Sequence, residues 1–188
     1  MSISAQVVSA MPANRTMKEQ PTLEVLFKAG MRQLAGGVCV IATQADGVRH
    51  ASTVTSVSSL SMDPPSMVVC IKRDSSIHSP LQMARKLSVN LLSTGQIEVA
   101  DSCTGFDGGT GEARFKNGSW IMHSSGVPVL EDTLTSIVCK VEESWVGGSH
   151  SVMLCTVEDI VEGVAGQPLV YANRSYLALQ PIDSGPIK

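Results

Sequence analysis

Residues 50–80 read HASTVTSVSSLSMDPPSMVVCIKRDSSIHSP, and seven of the ten residues from Ser52 to Ser61 carry a hydroxyl: Ser52, Thr53, Thr55, Ser56, Ser58, Ser59 and Ser61. A Pro64-Pro65 corner then leads into a short apolar strand at 67–72, since proline cannot donate to a strand ladder. The chain leaves that strand through Lys72 and Arg73 into a second hydroxyl cluster, Ser75 and Ser76, followed by His78. Hydroxyls, backbone N–H groups and two cations at the ends of neighbouring strands are what holds a phosphate-bearing small molecule. The competing reading is an exposed strand edge and turn, where Ser and Thr bond to nearby backbone, with Lys72 and Arg73 as a solvated strand end.

The flanking segments supply the neighbouring strands. Upstream, Thr22 caps a helix whose apolar positions Leu23, Leu26, Phe27, Met31 and Leu34 follow the helical spacing, and Gly36-Gly37 stops it. Its apolar face predicts packing against a sheet. The continuous run VCVIAT at 38–43 predicts a buried strand, and Ala45-Asp46-Gly47 turns it back into a second strand at 48–54. Downstream, Ser79-Pro80 opens a short helix through Lys86, LSVNLLS at 87–93 is a strand, and a second helix runs from Thr94 to about Ser102 with Ile97 and Ala100 on its apolar side. The glycine-rich segment at 103–120 predicts a mobile lid or cavity wall, with Phe106, Arg114, Phe115 and Trp120 as its large anchors. Strands at 134–145 and 150–161 meet at Gly147-Gly148, and 168–170 precedes Tyr171, Tyr176 and Leu177. Six or seven strands without regular strand–helix alternation give a mainly β fold, an antiparallel barrel with peripheral helices.

A chain of 188 residues with 43% hydrophobic and 16% charged residues and a net charge of −3 fits one globular domain, here 21–180 between an N-terminal arm at 1–20 and a tail at 181–188. No basic footprint for nucleic acid is present, no apolar run is long enough to span a bilayer, and the N-terminus lacks the cationic start of a secretory signal. Five cysteines, odd in number and without a CxxC pair, fit the reduced cytoplasm, and no His/Cys pair has the spacing of a metal site. Gly108-Gly109-Thr110-Gly111 follows no strand, which excludes a dinucleotide fingerprint, and no G-x-S-x-G elbow occurs. His150 in GGSHS is either an ordinary hairpin residue or an imidazole at a cavity mouth, able to bond a cofactor or donate a proton. His50 and His78 carry the same two readings, and His123 reads as structural.

Several words taken in order, FKAGMRQLAGGVCVIAT, TVTSVSSLSMDPPSMVVCIKRDSSIHSPL, LSVNLLSTGQIEVA, ARF, GVPVL, VEESWVGGSHSVMLCTVEDI and PLVYANRSYLAL, resemble the short-chain flavin reductase family over about 23–179. These are the reductase components of two-component flavin monooxygenases, with the FMN-binding split-barrel fold. The resemblance implies a homodimer that binds FMN or FAD, reduces it with NADH or NADPH and passes reduced flavin to a partner oxygenase. By position, Thr53, Val54, Thr55, Ser56, Val57 and Ser58 would line the isoalloxazine and ribityl chain, while Lys72, Ser75, Ser76 and His78 would lie near the phosphate. Asn90, Leu91, Leu92 and Ser93 would close the site. His150 would lie near the nicotinamide, Phe106 and Phe115 on the mobile wall, and Tyr171 near the flavin. Three departures stand out: Ser149 where the family often has Asp, Ala51-Ser52 for a frequent Gly-Met, and Cys155 for a common Gly that would leave the cavity wider. The rival readings are an oxidase that retains its flavin and a non-catalytic flavin- or haem-binding module. A flavin site itself needs an anion seat, donors along the pyrimidine edge and one open ring face for a hydride donor.

Overall fold

Two consecutive strands sit at opposite edges of one large sheet, and that placement forces the sheet to close. The computed structural model describes residues 20–182, so nearly all of the expected arm and tail lies outside the described residues. The helix α1 (Leu23–Met31) leads through β1 (Gly36–Gly37) to β2 (Cys39–Ala45), β3 (Val48–Val54), β4 (Val57–Met62) and β5 (Pro65–Lys72). Next come α2 (His78–Ala84), β6 (Lys86–Leu91), α3 (Ile97–Thr104), β7 (Trp120–Met122), β8 (Pro128–Leu130), β9 (Thr135–Gly147), β10 (His150–Glu162), β11 (Leu169–Ala172) and β12 (Ser175–Ala178). The main sheet runs β3-β2-β6-β9-β10-β5-β4, every pairing antiparallel. Laid flat, its edges would stand about 29 Å apart at ordinary strand spacing. Only Thr55 and Ser56 join β3 to β4, so Val54 and Val57 lie within about 11 Å of each other. The sheet therefore rolls into a barrel that stays split between its edge strands, which are not paired with each other.

The barrel interior is filled by alternate residues of five strands, among them Ile41, Val69, Ile71, Val89, Cys139, Val141, Met153 and Cys155, and is capped by Ile77 and Leu81 from the region of α2. The other face of β2, Val38, Val40 and Ala42, packs with Val99, Ala100 and Cys103 of α3, Phe115, Leu130 and Leu169. Both faces of β2 are thus covered, which is why its sequence is apolar without alternation. The hairpin turn has Asp46 and Gly47 at φ 50° and 77°, the left-handed pair that a two-residue connection with strand twist requires.

Four expectations need correction. The hydroxyl-rich run, expected as a loop leading to the strand at 67–72, is instead the end of β3, a two-residue link and most of β4. Thr22 does cap α1, its Oγ1 accepting from Val25 N at 3.4 Å, yet no residue of that helix is buried and its apolar face is not packed on the sheet. The helix expected from Ser79-Pro80 starts at His78, with Ile77 rather than Ser79 in the capping position, and ends at Ala84 where Arg85 turns left-handed. Ile97 is 39% exposed; in α3 the buried side falls on Val99, Ala100, Ser102 and Cys103.

Candidate active site

Three cavities run in a row along the open edge of β3. The first, about 480 Å³, is lined by Ser52, Lys72, Asp74, Ser75, Ser76, Arg114 and, from the glycine loop, Thr104 to Phe106 and Gly108 to Thr110. The second, about 220 Å³, is lined by Val38, Thr53, Val54, Thr55, Thr104, Phe106, Tyr171 and Tyr176. Thr104 and Phe106 line both, so the two lie side by side. The third, about 340 Å³, shares Thr55 and Tyr171 with the second and lies against α1 and the β11–β12 turn. The result is one groove with a polar, cationic end, a narrow central slot flanked by aromatic rings, and a second cationic end.

At the first end, Lys72 is the last residue of β5 and Ser75 and Ser76 sit in the turn that follows. The Ser75 hydroxyl donates to Lys72 O at 2.6 Å, which holds the turn, and Lys72 Nζ donates to Asp74 Oδ2 at 2.8 Å. That bond from Lys72 holds the Asp74 carboxyl below the usual carboxylate range, with the nearby His150 adding to the effect. Opposite them lies Arg114, 6% exposed. Its Nε donates to Gly109 O at 2.9 Å and its Nη1 to Ala51 O at 2.6 Å and Cys103 O at 3.3 Å, so one guanidinium ties together β3, the end of α3 and the glycine loop. No carboxylate pairs with it among the described residues. A buried cation compensated only by carbonyl dipoles favours an anion in the adjoining space. Its Nη2 rests against Gly105, where a Cβ would collide with it and where φ is +73°, so glycine is required there twice over.

The central slot is formed by the C-terminal end of β3 on one side and Tyr171 and Tyr176, an edge-to-face pair with ring centroids 5.6 Å apart, on the other. Tyr176 Oη donates to Asp101 Oδ1 at 2.9 Å, and burial first, then that carboxylate, pushes its phenol up to about 12. Phe106 is 95% exposed at the boundary of the two cavities, an apolar ring held out on the glycine loop as the sequence suggested.

The expected residues divide by position. Thr53, Val54, Thr55, Lys72, Ser75, Ser76 and Tyr171 line the groove. Ser56, Val57, Ser58 and His78 lie close in sequence but line none of the three cavities: Ser56 Oγ donates to Cys70 O at 2.8 Å, Val57 packs on the barrel core, and Ser58 Oγ donates to Ser59 O at 3.1 Å. His78 Nε2 lies 2.8 Å from Ser151 Oγ, a contact that fastens α2 to β10. Asn90 is fully buried and its amide is saturated by Val40 O, Ser88 Oγ, Leu130 N and Ser136 Oγ, so it locks strands together and faces no ligand. Leu91 packs against the barrel core and Leu92 is buried on its outer side. Ser93 caps the turn at Thr94–Gln96, its N–H donating to Gln96 Oε1 at 3.0 Å. Phe115, expected on the mobile wall, is 8% exposed in the core, edge-on to Trp120 at 4.8 Å and under the Arg49 guanidinium at 4.4 Å.

His150 is half-buried on β10, directly opposite Lys72 in register, with Ser149 Oγ 2.9 Å from its Nδ1. It flanks the first cationic end and is not among the residues that line the slot. Asp74 supplies a negative charge near the imidazole, where Ser149 stands in place of the expected Asp. Cys155 is fully buried in the barrel and lines none of the three cavities, so it does not narrow the groove. The sequence names both Arg114 and Phe106 as anchors of the glycine-rich segment; Arg114 is one, whereas Phe106 is exposed and anchors nothing, and only the fold shows that the first reaches a cavity and the second borders two.

Nothing lining the groove is a histidine or cysteine, and its only carboxylate, Asp74, is held by Lys72. Among the described residues no cluster of His, Cys, Asp and Glu is able to hold a metal ion. Such a groove is fitted to position two flat molecules against each other, since hydride transfer between rings at contact distance depends mainly on orientation. An FMN would fit its features: Lys72, Ser76 and Arg114 would face its phosphate, and the slot beside Val54, Thr55 and Tyr171 would take its planar ring.

Comparison with known proteins agrees with this geometry. The chain is 34% identical over 162 residues to the FMN reductase (NADH) RutF of Agrobacterium fabrum, which covers 86% of this chain and 90% of that protein. It is also 34% identical over 157 residues, 82% of this chain and 87% of the relative, to the reductase component of an FADH(2)-dependent resorcinol hydroxylase of Rhizobium sp.. Its fold superposes on a flavin reductase domain protein from Arthrobacter sp. FB24 with a TM-score of 0.79 at 27% identity, covering 86% of this chain and 98% of the other. The model of the flavin reductase like domain matches residues 31–180, nearly the whole described barrel, and the chain belongs to that family.

Proposed function

We propose that this protein is a NAD(P)H-dependent flavin reductase that hands reduced flavin to a flavin-dependent monooxygenase. The observation that carries this reading is the row of adjoining cavities, cationic at Lys72 and Arg114 and ring-sized beside Thr53 to Thr55. Bound flavin would supply the two-electron acceptor. Lys72, Ser76 and Arg114 hold its phosphate, Thr53, Val54 and Thr55 support the ring and ribityl chain, and Tyr171 borders the ring. Phe106 and the glycine loop exclude water from one side. The groove's long open edge lets both flavin and nucleotide leave, which suits a carrier of reduced flavin better than an oxidase that keeps its cofactor. His150 serves the nicotinamide end of the donor or, given its place beside Lys72, the phosphate end of the flavin.

The active form is a homodimer. Leu23, Leu26 and Phe27 of α1 are 83%, 54% and 64% exposed along one helical stripe, and a second copy covers such a face. The buried thiols, none of them in a disulfide, suit the reducing cytoplasm.

The test is steady-state reduction of FMN, FAD and riboflavin with NADH and with NADPH, followed anaerobically. Turnover of added free flavin supports the reading; a tightly retained yellow flavin that neither nucleotide bleaches rejects it. Sedimentation of the wild type as a dimer and of Phe27→Glu as a monomer would confirm the α1 contact.

A further inference from the structure

The two walls of the ring slot come from distant parts of the chain, yet each is tied to the same turn of α3. On one side, Thr53 of β3 donates its hydroxyl to Ala100 O at 2.6 Å. On the other, Tyr176 of β12 donates to Asp101 Oδ1 at 2.9 Å. Thr53 and Tyr176 both line the slot, and so does Thr104, the last residue of α3. The anchor is firm, because Val99, Ala100 and Cys103 are buried against Val38, Val40 and Leu169. Asp101 itself is exposed, and among the described residues its carboxylate has no cation beside it and accepts from Tyr176 alone.

The tyrosine wall depends on that tie. β11 is held at its start, where Val38 N donates to Leu169 O and Leu169 N donates to Leu92 O, each at 2.9 Å. Further along, β11 meets β1 only at Val170 and Tyr171, and β12 is an edge strand that pairs with β11 alone among the described residues. Beyond Tyr171 the hairpin is held by Asn173 N donating to Arg32 O at 2.7 Å and by the Tyr176 phenol. Tyr171 stands directly opposite Tyr176 in register, and the two rings meet edge to face, so whatever holds Tyr176 also holds Tyr171. Burial and then the Asp101 carboxylate push the phenol up to about 12, which keeps it protonated and a donor near neutral pH.

From this we infer that Asp101 and Tyr176 are a positioning pair for hydride transfer: their bond, made one residue along α3 from the Thr53 contact, fixes the gap between β3 and the tyrosines in which the two reacting rings lie face to face. The inference rests on the flavin reductase reading and adds to it the residues that set the ring separation. Asp101 does not line the slot and acts through Tyr176. A wall released by a fraction of an ångström still leaves room to bind both rings, but they reach contact geometry less often, so the loss falls on the rate of transfer and not on affinity. The bond needs an acceptor at Asp101 and not a negative charge, which separates a positioning role from an acid–base one.

The test follows anaerobic single-turnover reduction of FMN by NADH in a stopped-flow instrument, beside the affinity for FMN and the KM for NADH. Tyr176→Phe and Asp101→Ala each slow hydride transfer by about tenfold while FMN affinity and the KM for NADH stay within about twofold of wild type. Both also weaken the long-wavelength charge-transfer absorbance of the stacked rings. The double variant is no slower than either single one, because both remove the same bond. Asp101→Asn, whose amide oxygen accepts from the phenol, keeps most of the rate. Additive losses in the double variant, or Asp101→Asn as slow as Asp101→Ala, overturn the inference. Losses of FMN affinity as large as the loss of rate assign the pair to holding the fold and overturn it too. A wild type that reduces FMN while Tyr176→Phe matches it rejects the positioning role alone. A wild type that reduces FMN with neither NADH nor NADPH rejects the flavin reductase reading and the positioning role with it.

Discussion

At the scale of single residues, Arg114 and Lys72 do different work at the same end of the groove. Lys72 is exposed and held by Asp74 alone, so its charge is available to a ligand at little structural cost. Lys72→Ala is expected to weaken FMN by about tenfold and riboflavin hardly at all, measured by fluorescence titration of each. Equal losses would place the phosphate elsewhere. Arg114 satisfies three carbonyls, so Arg114→Leu should lower both FMN affinity and stability, the latter by about 2–4 kcal/mol in urea unfolding, as the carbonyls of Ala51, Cys103 and Gly109 lose their donor. His150 lies opposite Lys72 and next to Ser149. His150→Ala resolves its two readings: a raised KM for NADH with unchanged FMN affinity assigns it to the donor, and weakened FMN with an unchanged KM assigns it to the phosphate.

At the scale of elements, β6 is where the sequence pattern and the fold part company. Its Asn90 was expected to close the site from the resemblance to flavin reductases. In the structure that amide bonds β2 through Val40 O and receives Leu130 N and Ser136 Oγ, joining four separate stretches of chain inside the core. Asn90→Ala should therefore cost about 3 kcal/mol of stability by denaturant midpoint, while flavin affinity below the melting range stays at the wild-type value. A stable variant with lost flavin binding would contradict this. The glycine loop behaves in the opposite way: Arg114 and Phe115 anchor it from beneath, at 6% and 8% exposure, while Phe106 is carried outward at its start. Gly105 in the left-handed C-cap of α3 is what makes room for the guanidinium.

For the whole molecule, stability should be greatest in a window bounded by two sets of groups. His50 is pushed below the ordinary histidine value of 6.5 mainly by burial, and its Nδ1 is buried without a partner among the described residues. The fold therefore prefers neutral His50, and stability is lost as pH falls below about 6.5, where the unfolded chain takes up the proton more readily. The Glu112 carboxyl is held below its usual 4.5 by Arg49, so its contribution is present above that value and fades as pH falls further. On the alkaline side, burial pushes the Cys39 and Cys103 thiols up to about 11 and those of Cys139 and Cys155 up to about 12, from a model value of 9.0. Stability from keeping them protonated is full below pH 9 and declines as pH rises toward those values. Thermal melting from pH 4 to 11 checks both flanks; a midpoint still rising at pH 5 relative to pH 7 would contradict the acid side. Native thiol titration should find Cys70, the one half-buried cysteine, reacting first.

The sequence by itself determined the strand content, the β2–β3 and β9–β10 hairpins, the β-rich fold class and the cationic, hydroxyl-bearing chain end at Lys72, Ser75 and Ser76, because period, turn chemistry and charge are local properties. Thr53, Val54 and Thr55 were named through the resemblance to flavin reductases, not from a local property of the chain. Only the tertiary structure decided which hydroxyls bond to backbone: Thr53, Ser56, Ser58 and Ser75 all turn to carbonyls, and Asn90, Leu92 and Phe115 lie in the core. It also decided that Arg114, Arg32 and Arg174 stand around the groove, since they lie up to 142 residues apart in sequence and meet only when the rolled sheet brings its edges together. A local pattern fixes which way a residue alternates along its own strand; what stands opposite depends on where the sheet closes, and here the two-residue link between β3 and β4 sets that closure.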